Sequence, residues 1–199
     1  MSIGKIVRHF EGIGKVPVDP NDVLAEVRGL VGDILTIKVR GVEVDPDRLR
    51  GNCYRYQVDD SGVLLPKQIA MVVYNKRLHP FEQRLVFVKE LAHLLDPTPI
   101  HTSKKEQVIY LAEELIKSPT PVGKVALNDL QVFYDLLAKW HALAILFPFG
   151  LWEELMPKAE AKTLDLEKLS EAVELPKEYV EFLMTKAWRT MRETILAYC

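Results

Sequence analysis

Residues 85–95 read LVFVKELAHLL, and the interpretation of the rest of the chain depends on this stretch. It is apolar on every side of a helix except at Lys89, Glu90 and His93, and such a pattern predicts a buried helix. At 3.6 residues per turn, Lys89 and His93 lie one turn apart on the same face, with Glu90 beside them. Charges on a buried helix have to be paired, because burial of an unpaired charge is strongly unfavourable.

The spacing of these residues is that of the zinc-binding helix His-Glu-x-x-His. In that motif two imidazoles bind the metal and the glutamate activates water. Here Lys89 stands at the first histidine position, whereas Glu90 and His93 keep the motif. A single match of this kind also arises by chance, and a lone buried histidine is often a hydrogen-bonded core residue. The spacing alone therefore leaves both interpretations open.

The surrounding sequence predicts an α+β fold. Residues 1–20 are interrupted by glycines and prolines and are predicted to be an arm or loop, and a helix is predicted to begin after Asn21. Residues 35–75 are rich in β-branched and aromatic residues, which predicts a small, mostly antiparallel sheet of three or four strands. Pro80 fits the first turn of the helix that contains residues 85–95. A second helix is predicted at residues 103–117.

The prolines at positions 119 and 121 suggest a boundary between two regions. Residues 1–120 then form a zincin-like domain that contains the sheet and the two central helices. Residues 121–199 form a helical bundle with a helix-turn-helix-like tail, predicted to pack on the first region. The tail carries many glutamates, which disfavours direct contact with nucleic acid phosphates.

The amino-acid composition limits the classes of function that this chain can have. The chain of 199 residues has 26 basic and 28 acidic side chains, so its net charge of -2 provides no overall attraction to nucleic acid. Its two cysteines form no disulfide framework, which fits a reducing compartment. Neither a signal peptide nor a membrane span is apparent. We therefore predict a cytoplasmic protein that does not bind a membrane.

The stretch QIAMVVYNKRLHPFEQRLVFVKELAHLLD resembles the ImmA/IrrE family of zinc metallopeptidases. Members of that family have a strand ending near an Asn, a short loop, and a helix of the type Arg-Phe-x-x-Ala-His-Glu-Leu-x-His. The segment EQVIYLAEELIKSP is similar to the helix that follows in the family, and residues 166–184 are similar to its helical tail. The resemblance covers residues 22–118 and, more loosely, the tail.

The resemblance implies a metal site that is only partly retained. Glu90 matches the general base and His93 matches the second histidine ligand. Lys89 occupies the first ligand position, and Gln107 occupies the position of the third ligand, a glutamate in the family. A lysine binds zinc only as the neutral amine, against a pKa near ~10.4, and an amide oxygen is a weak donor for zinc. We therefore predict no metal, unless Glu106, His101 or Asp96 replaces the missing ligands.

A charge argument gives Lys89 a structural role. Its ammonium group would replace the metal cation and pair with Glu90, or with Glu113 or Glu114 of the following helix, and so keep a buried acidic site neutral. The alternative is that Lys89 extends to the solvent.

The expected function is that of a catalytically degenerate ImmA/IrrE-like homologue, a pseudoenzyme with a regulatory or protein-interaction role. Active members of the family cleave DNA-binding repressors and occur in mobile elements and stress responses. The resemblance thus implies a repressor-like protein as partner, in a mobile-element or toxin-antitoxin context. The alternative is an active zinc endopeptidase with a rearranged ligand set, in which case zinc is the cofactor.

Overall fold

A computed structural model of the chain describes residues 3–58, 67–95 and 130–198. In these residues, helices and a three-stranded sheet occur together, which confirms the predicted α+β class. The elements, in chain order, are α1 Ile3–Ile13, α2 Pro20–Val31, a 3-10 turn Gly32–Ile34, β1 Leu35–Val42, β2 Gly51–Val58, β3 Lys67–Asn75, α3 Pro80–His93, α4 Leu130–Leu146, α5 Phe149–Glu160, α6 Leu166–Val173, α7 Lys177–Leu183 and α8 Lys186–Tyr198.

The prediction of an N-terminal arm was wrong, because α1 occupies most of it. Ile3, Ile6, Val7 and Phe10 are buried on one face of this helix, and their spacing is that of an amphipathic helix. Glycines on either side of this apolar stripe suggested a loop. The next helix begins two residues earlier than predicted, with Asp19 as its N-cap rather than Asn21.

The sheet is mixed rather than antiparallel. Its strand order is β1-β3-β2, with β2 antiparallel to β3 and β1 parallel to β3. The strand β3 is central because its residues Ala70 and Val72 are fully buried on the helix side. The chain turns back after β1 to form β2 and turns again to form β3. Because β3 lies between β1 and β2 in the sheet, β1 and β3 are neighbours and run parallel. Sequence patterns do not reveal which strands are neighbours, and the prediction missed this pairing.

One continuous apolar core joins the N-terminal helices, the helix side of the sheet and the C-terminal helices. Helix α4 packs against α3 and α1, and α8 packs against α4. Trp140 and Trp188, on α4 and α8, are both fully buried and their rings lie 6.1 Å apart. The predicted boundary between residues 1–120 and 121–199 lies outside the described residues.

The helix-turn-helix-like tail corresponds to α6 and α7. Asp165 caps α6 by accepting hydrogen bonds from the backbone N–H groups of Glu167 and Lys168. At its other end Glu174 adopts a left-handed conformation with φ of 52°, and the buried Ser170 hydroxyl donates to the Leu175 carbonyl at 2.6 Å. None of the helices in the described ranges is both long and apolar enough to cross a membrane.

Candidate functional site

Helix α3 holds the three motif residues, and its start is fixed by local interactions. Pro80 occupies the first turn, where its missing N–H causes no loss. His79 and Glu82 form a reciprocal capping box, and Glu82 also pairs with Arg50, which directly precedes β2. These contacts fix the start of α3 against the sheet, so its last two turns lie beneath the beginning of β2.

The loop before β2 is held by a buried asparagine. The Asn75 side chain is fully buried at the end of β3 and donates hydrogen bonds to the carbonyls of Val44 at 3.1 Å and Leu49 at 2.7 Å. Its oxygen accepts from the Arg77 backbone N–H at 2.9 Å. These three hydrogen bonds connect the loop before β2 and the residues after β3 to one side chain, so Asn75 fixes where β2 begins.

Lys89 lies between two carboxylates. Its Nζ is 2.7 Å from Oδ1 of Asp135 on α4 and 3.0 Å from Oε1 of Glu90 on its own helix. The contact with Asp135 is a hydrogen bond. The side chain of Lys89 is only 13% exposed and that of Glu90 only 3%, so Lys89 does not extend to the solvent. It is a buried cation shared by two acids.

The electrostatics of the pair are strongly coupled. Burial alone would lower the pKa of Lys89, but the carboxylates of Asp135 and Glu90 raise this pKa above its ordinary value. Burial would raise the pKa of Asp135, yet Lys89 and a hydrogen bond from His93 hold this pKa well below its usual range. Both groups are therefore charged at neutral pH.

His93 joins the same cluster. Its Nε2 lies 3.2 Å from the Asp135 Oδ1 that also accepts from Lys89. Two residues one turn apart on α3 thus contact a single carboxylate oxygen on α4. We call the residues Lys89, Glu90, His93 and Asp135 the α3–α4 cluster.

The beginning of β2 closes one side of this cluster. A Cβ added at Gly51 would lie 2.4 Å from Val86 Cγ1 and 2.9 Å from Glu90 Oε1. Those distances are far below van der Waals contact, so a glycine is needed for α3 to pack this closely. The charge of Glu90 is compensated by the Lys89 ammonium, whose Nζ lies 3.0 Å from Glu90 Oε1.

A second buried lysine lies one turn beyond Asp135 on α4. Lys139 is 3% exposed and its Nζ has no hydrogen-bond partner among the described residues. Instead it lies 5.4 Å from the centre of the Tyr179 ring and 5.8 Å from that of Trp140, where a cation is stabilised by the ring faces. Burial lowers the pKa of Lys139 to about 8, an effect that Asp135 opposes.

The structure brings together three of the predicted site residues. Lys89, Glu90 and His93 form one cluster on α3, and the expected ion pair between Lys89 and Glu90 is present. The other predicted positions lie outside the described residues. They are Gln107 as the third former ligand, Glu106, His101 and Asp96 as rescue ligands, and Glu113 and Glu114 as charge partners.

Asp135 is the site residue that the sequence reasoning missed. It lies 42 residues beyond His93, in the apolar run of residues 133–147, a region for which only a helical bundle was predicted. The signal was present, because Asp135 and Lys139 are charged residues four positions apart in that apolar run. The rule that identified α3, that charges on a buried helix need partners, applies equally to α4.

The residues of the cluster do not fit a zinc ion. A catalytic zinc needs three protein donors and one open position, and within residues 3–58, 67–95 and 130–198 no group of three or more His, Cys, Asp or Glu side chains is arranged to hold a metal. The ammonium of Lys89 also lies within 3.0 Å of both carboxylates. A divalent cation bound to the same oxygens would meet this like charge.

Comparison with known proteins adds no relative. The chain matches no model of a known protein family, no curated protein and no solved structure. The family resemblance therefore depends on the motif residues quoted above.

Proposed function

We propose that this chain is a catalytically degenerate relative of the ImmA/IrrE metallopeptidases and acts in the cytoplasm by binding another protein. The observation that supports the proposal is the position of the Lys89 ammonium, between the carboxylates of Glu90 and Asp135. In a zincin the metal cation lies beside these motif positions and neutralises the acids around it. Here a fixed ammonium group provides that positive charge.

The arrangement is unsuitable for hydrolysis for two reasons. A general base must accept a proton from water, but the Glu90 carboxylate is buried against Gly51 and is paired with Lys89. A zinc ion would have to displace the proton of Lys89, and the two carboxylates raise the pKa of this ammonium group, which makes displacement harder. Glu90 is then a vestigial base within a structural ion-pair network.

The proposed partner is a protein, and a DNA-binding repressor is the class that the family resemblance implies. Direct binding of DNA by the helix-turn-helix-like tail is disfavoured, because the turn between α6 and α7 is surrounded by exposed glutamates at positions 167, 171, 178 and 181. Phosphates would be repelled by this surface. A regulatory role in a mobile element or toxin-antitoxin system is consistent with such a protein contact.

Metal analysis of the wild type and a Lys89→His variant tests the proposal. After exposure to zinc and removal of excess metal, the wild type should retain none. Lys89→His places an imidazole beside His93 and Asp135, so this variant should gain zinc and lose it again when His93→Ala is added. Stoichiometric zinc in the wild type, lost in His93→Ala alone, would overturn the proposal and favour the active peptidase with a rearranged ligand set.

A further inference from the structure

Helix α7 lies over the buried ammonium group of Lys139. This side chain comes from α4, and the residue is 3% exposed. Its Nζ faces the ring of Tyr179 on α7, whose centre is 5.4 Å away, and has no hydrogen-bond partner among the described residues. Lys89, in contrast, contacts two carboxylates. Burial of a charge that lacks such contacts opposes the packing that buries it.

Apolar side chains hold α7 in its docked position. The Phe182 ring lies 4.9 Å from the Trp140 ring of α4, and Val180 and Leu183 are fully buried. The more extensive backbone contacts of α7 are with its neighbours along the chain, α6 and α8. The contact between α7 and α4 therefore depends on side chains, and the charge of Lys139 opposes the apolar part of it.

Both ends of α7 are joined to firmly held parts of the fold. Before the helix, Glu174 pairs with Arg84 of α3 at 2.8 Å, and after it Trp188 is fully buried. The helix itself has only seven residues, Lys177–Leu183, and its N-cap is Pro176, whose side chain accepts no hydrogen bond. A short helix without a side-chain cap is weak by itself. Helix α7 can therefore open between two points that stay in place.

The charged groups around Lys139 come from several elements. Burial lowers the pKa of Lys139 to about 8, Asp135 on the same helix opposes this effect, and Lys89 on α3 and Arg50 before β2 add to it. On α7, burial raises the pKa of Tyr179, so its phenol stays neutral. The charged groups that act on this phenol are Arg50, Glu178, Glu82 and Lys89. Within the α3–α4 cluster, Lys89 pairs with Glu90, and His93 contacts Asp135.

We propose that α7 is a separately opening segment of the fold and that Lys139 controls its opening. The buried positive charge of Lys139 offsets part of the apolar docking of α7, and a local departure of α7 from α4 lets water solvate the ammonium group. Loss of the proton removes this strain and holds the segment closed. The inference goes beyond the proposed function, because it requires neither a protein partner nor the absence of a metal.

Among the described elements, α7 covers Lys139 on the side that opens at the lower cost. Toward α3, the ion pairs of Lys89 with Glu90 and Asp135 join α3 to α4. Toward α7, the Tyr179 ring covers Nζ without a hydrogen bond. Local openings use the contacts that are weakest, so water reaches Lys139 through the departure of α7.

Hydrogen–deuterium exchange of the full chain, followed by mass spectrometry at pH 7 and pH 9, tests the proposal. At pH 7 the amides of α7 should be less protected than those of the central strand β3, because α7 opens without the rest of the chain. After correction for the intrinsic exchange rate, protection of α7 should rise about tenfold between pH 7 and pH 9. This factor follows from a pKa of about 8 for Lys139 under α7 and an ordinary lysine pKa once α7 has opened.

Lys139→Met removes the charge and keeps an apolar side chain of similar length. In this variant α7 should be at least about tenfold better protected at pH 7 than in the wild type, and its protection should no longer depend on pH. The matched control is Lys186→Met, which removes a lysine from α8 that pairs with Glu160 and is 81% exposed. The control should exchange as the wild type does.

Three results would overturn the inference. The first is equal protection of α7 and β3 in the wild type at pH 7, since α7 would then open only when the whole chain unfolds. The second is protection of α7 that stays the same between pH 7 and pH 9. The third is exchange of α7 in Lys139→Met that equals exchange in Lys186→Met.

Discussion

Replacing Lys89 by methionine removes the cation from the α3–α4 cluster and keeps a side chain of similar length. The Nζ lies 2.7 Å from Asp135 and 3.0 Å from Glu90. At an effective dielectric constant of about 20 the two gross attractions are roughly 6 and 5 kcal/mol. Much of this is offset by desolvation, and breaking a buried ion pair from one side typically destabilises a protein by about 3–5 kcal/mol. We expect a loss in that range.

Thermal unfolding followed by circular dichroism measures this loss. For a chain of 199 residues, each kcal/mol lowers the melting temperature by roughly 2–4 °C, so the variant should melt roughly 10 °C below the wild type at pH 7. Lys177→Met is the matched control, since Lys177 pairs with Glu167 at 2.5 Å on the surface, where the two side chains are 49% and 67% exposed. Its melting temperature should hardly change.

The pH dependence separates charge from packing. The folded-state pKa of Asp135 is depressed, so in the wild type its contribution to stability is full above the unfolded pKa of about 3.9 and is lost as the pH falls through the folded value. Without Lys89, burial favours the protonated acid, and the defect should shrink between pH 7 and pH 5. A defect of the same size at both pH values, or an unchanged melting temperature at pH 7, would refute the reasoning. Adding Asp135→Asn to Lys89→Met should recover part of the loss.

Four further substitutions test other parts of the structure. Burial lowers the pKa of Lys139 to about 8, so the folded state disfavours its charged form. Lys139→Met should therefore stabilise the protein by about 3 kcal/mol at pH 7, and the gain should fade as the pH rises from 8 toward 10 in urea titrations. Gly51→Ala should lower the melting temperature, because its methyl group would lie 2.4 Å from Val86. In contrast, Gly29 is an exposed position of α2 with no atom within 4 Å of an added Cβ, so Gly29→Ala should raise the free energy of unfolding by about 0.5–1 kcal/mol. Ser170→Ala removes a buried hydrogen bond to the Leu175 carbonyl and should cost about 1 kcal/mol in the same urea titrations.

The sequence predicts those elements whose signal is local. Helix α3 combines a proline in its first turn, a capping box and an apolar run, so its start at Pro80 matches the prediction. The strands β1 to β3 are identified by β-branched and aromatic runs between turn residues. Helix α1 was missed because its signal, one apolar stripe over eleven residues, was outweighed by the glycines at positions 4, 12 and 14. Periodicity was the more reliable indicator in this segment.

Relations between distant segments could not be predicted in the same way. The pairing of β1 with β3 depends on which strands meet in space, and neighbouring strands share no unique local pattern. Asp135 approaches Lys89 only because α4 packs along α3. The sequence indicates that Lys89 needs an acidic partner, but the choice among Glu90, Glu113, Glu114 and Asp135 depends on tertiary packing.

The charge balance of the site explains why two lysines lie there. Glu90 and Asp135 are both buried, and Lys89 alone compensates one of their two negative charges. Lys139, four residues after Asp135 on the same helix, contributes a second positive charge that Asp135 stabilises and that the rings of Trp140 and Tyr179 solvate. When both lysines are protonated, the two carboxylates and the two ammonium groups have no net charge. A divalent metal ion beside two carboxylates would give the same net charge of zero. The two lysines differ in how well each one is paired. Loss of Lys89 leaves two buried acids without the cation that contacts both of them. Lys139 has no hydrogen-bond partner among the described residues and burial disfavours its charged form, so its loss should stabilise the protein although the group then carries one negative charge.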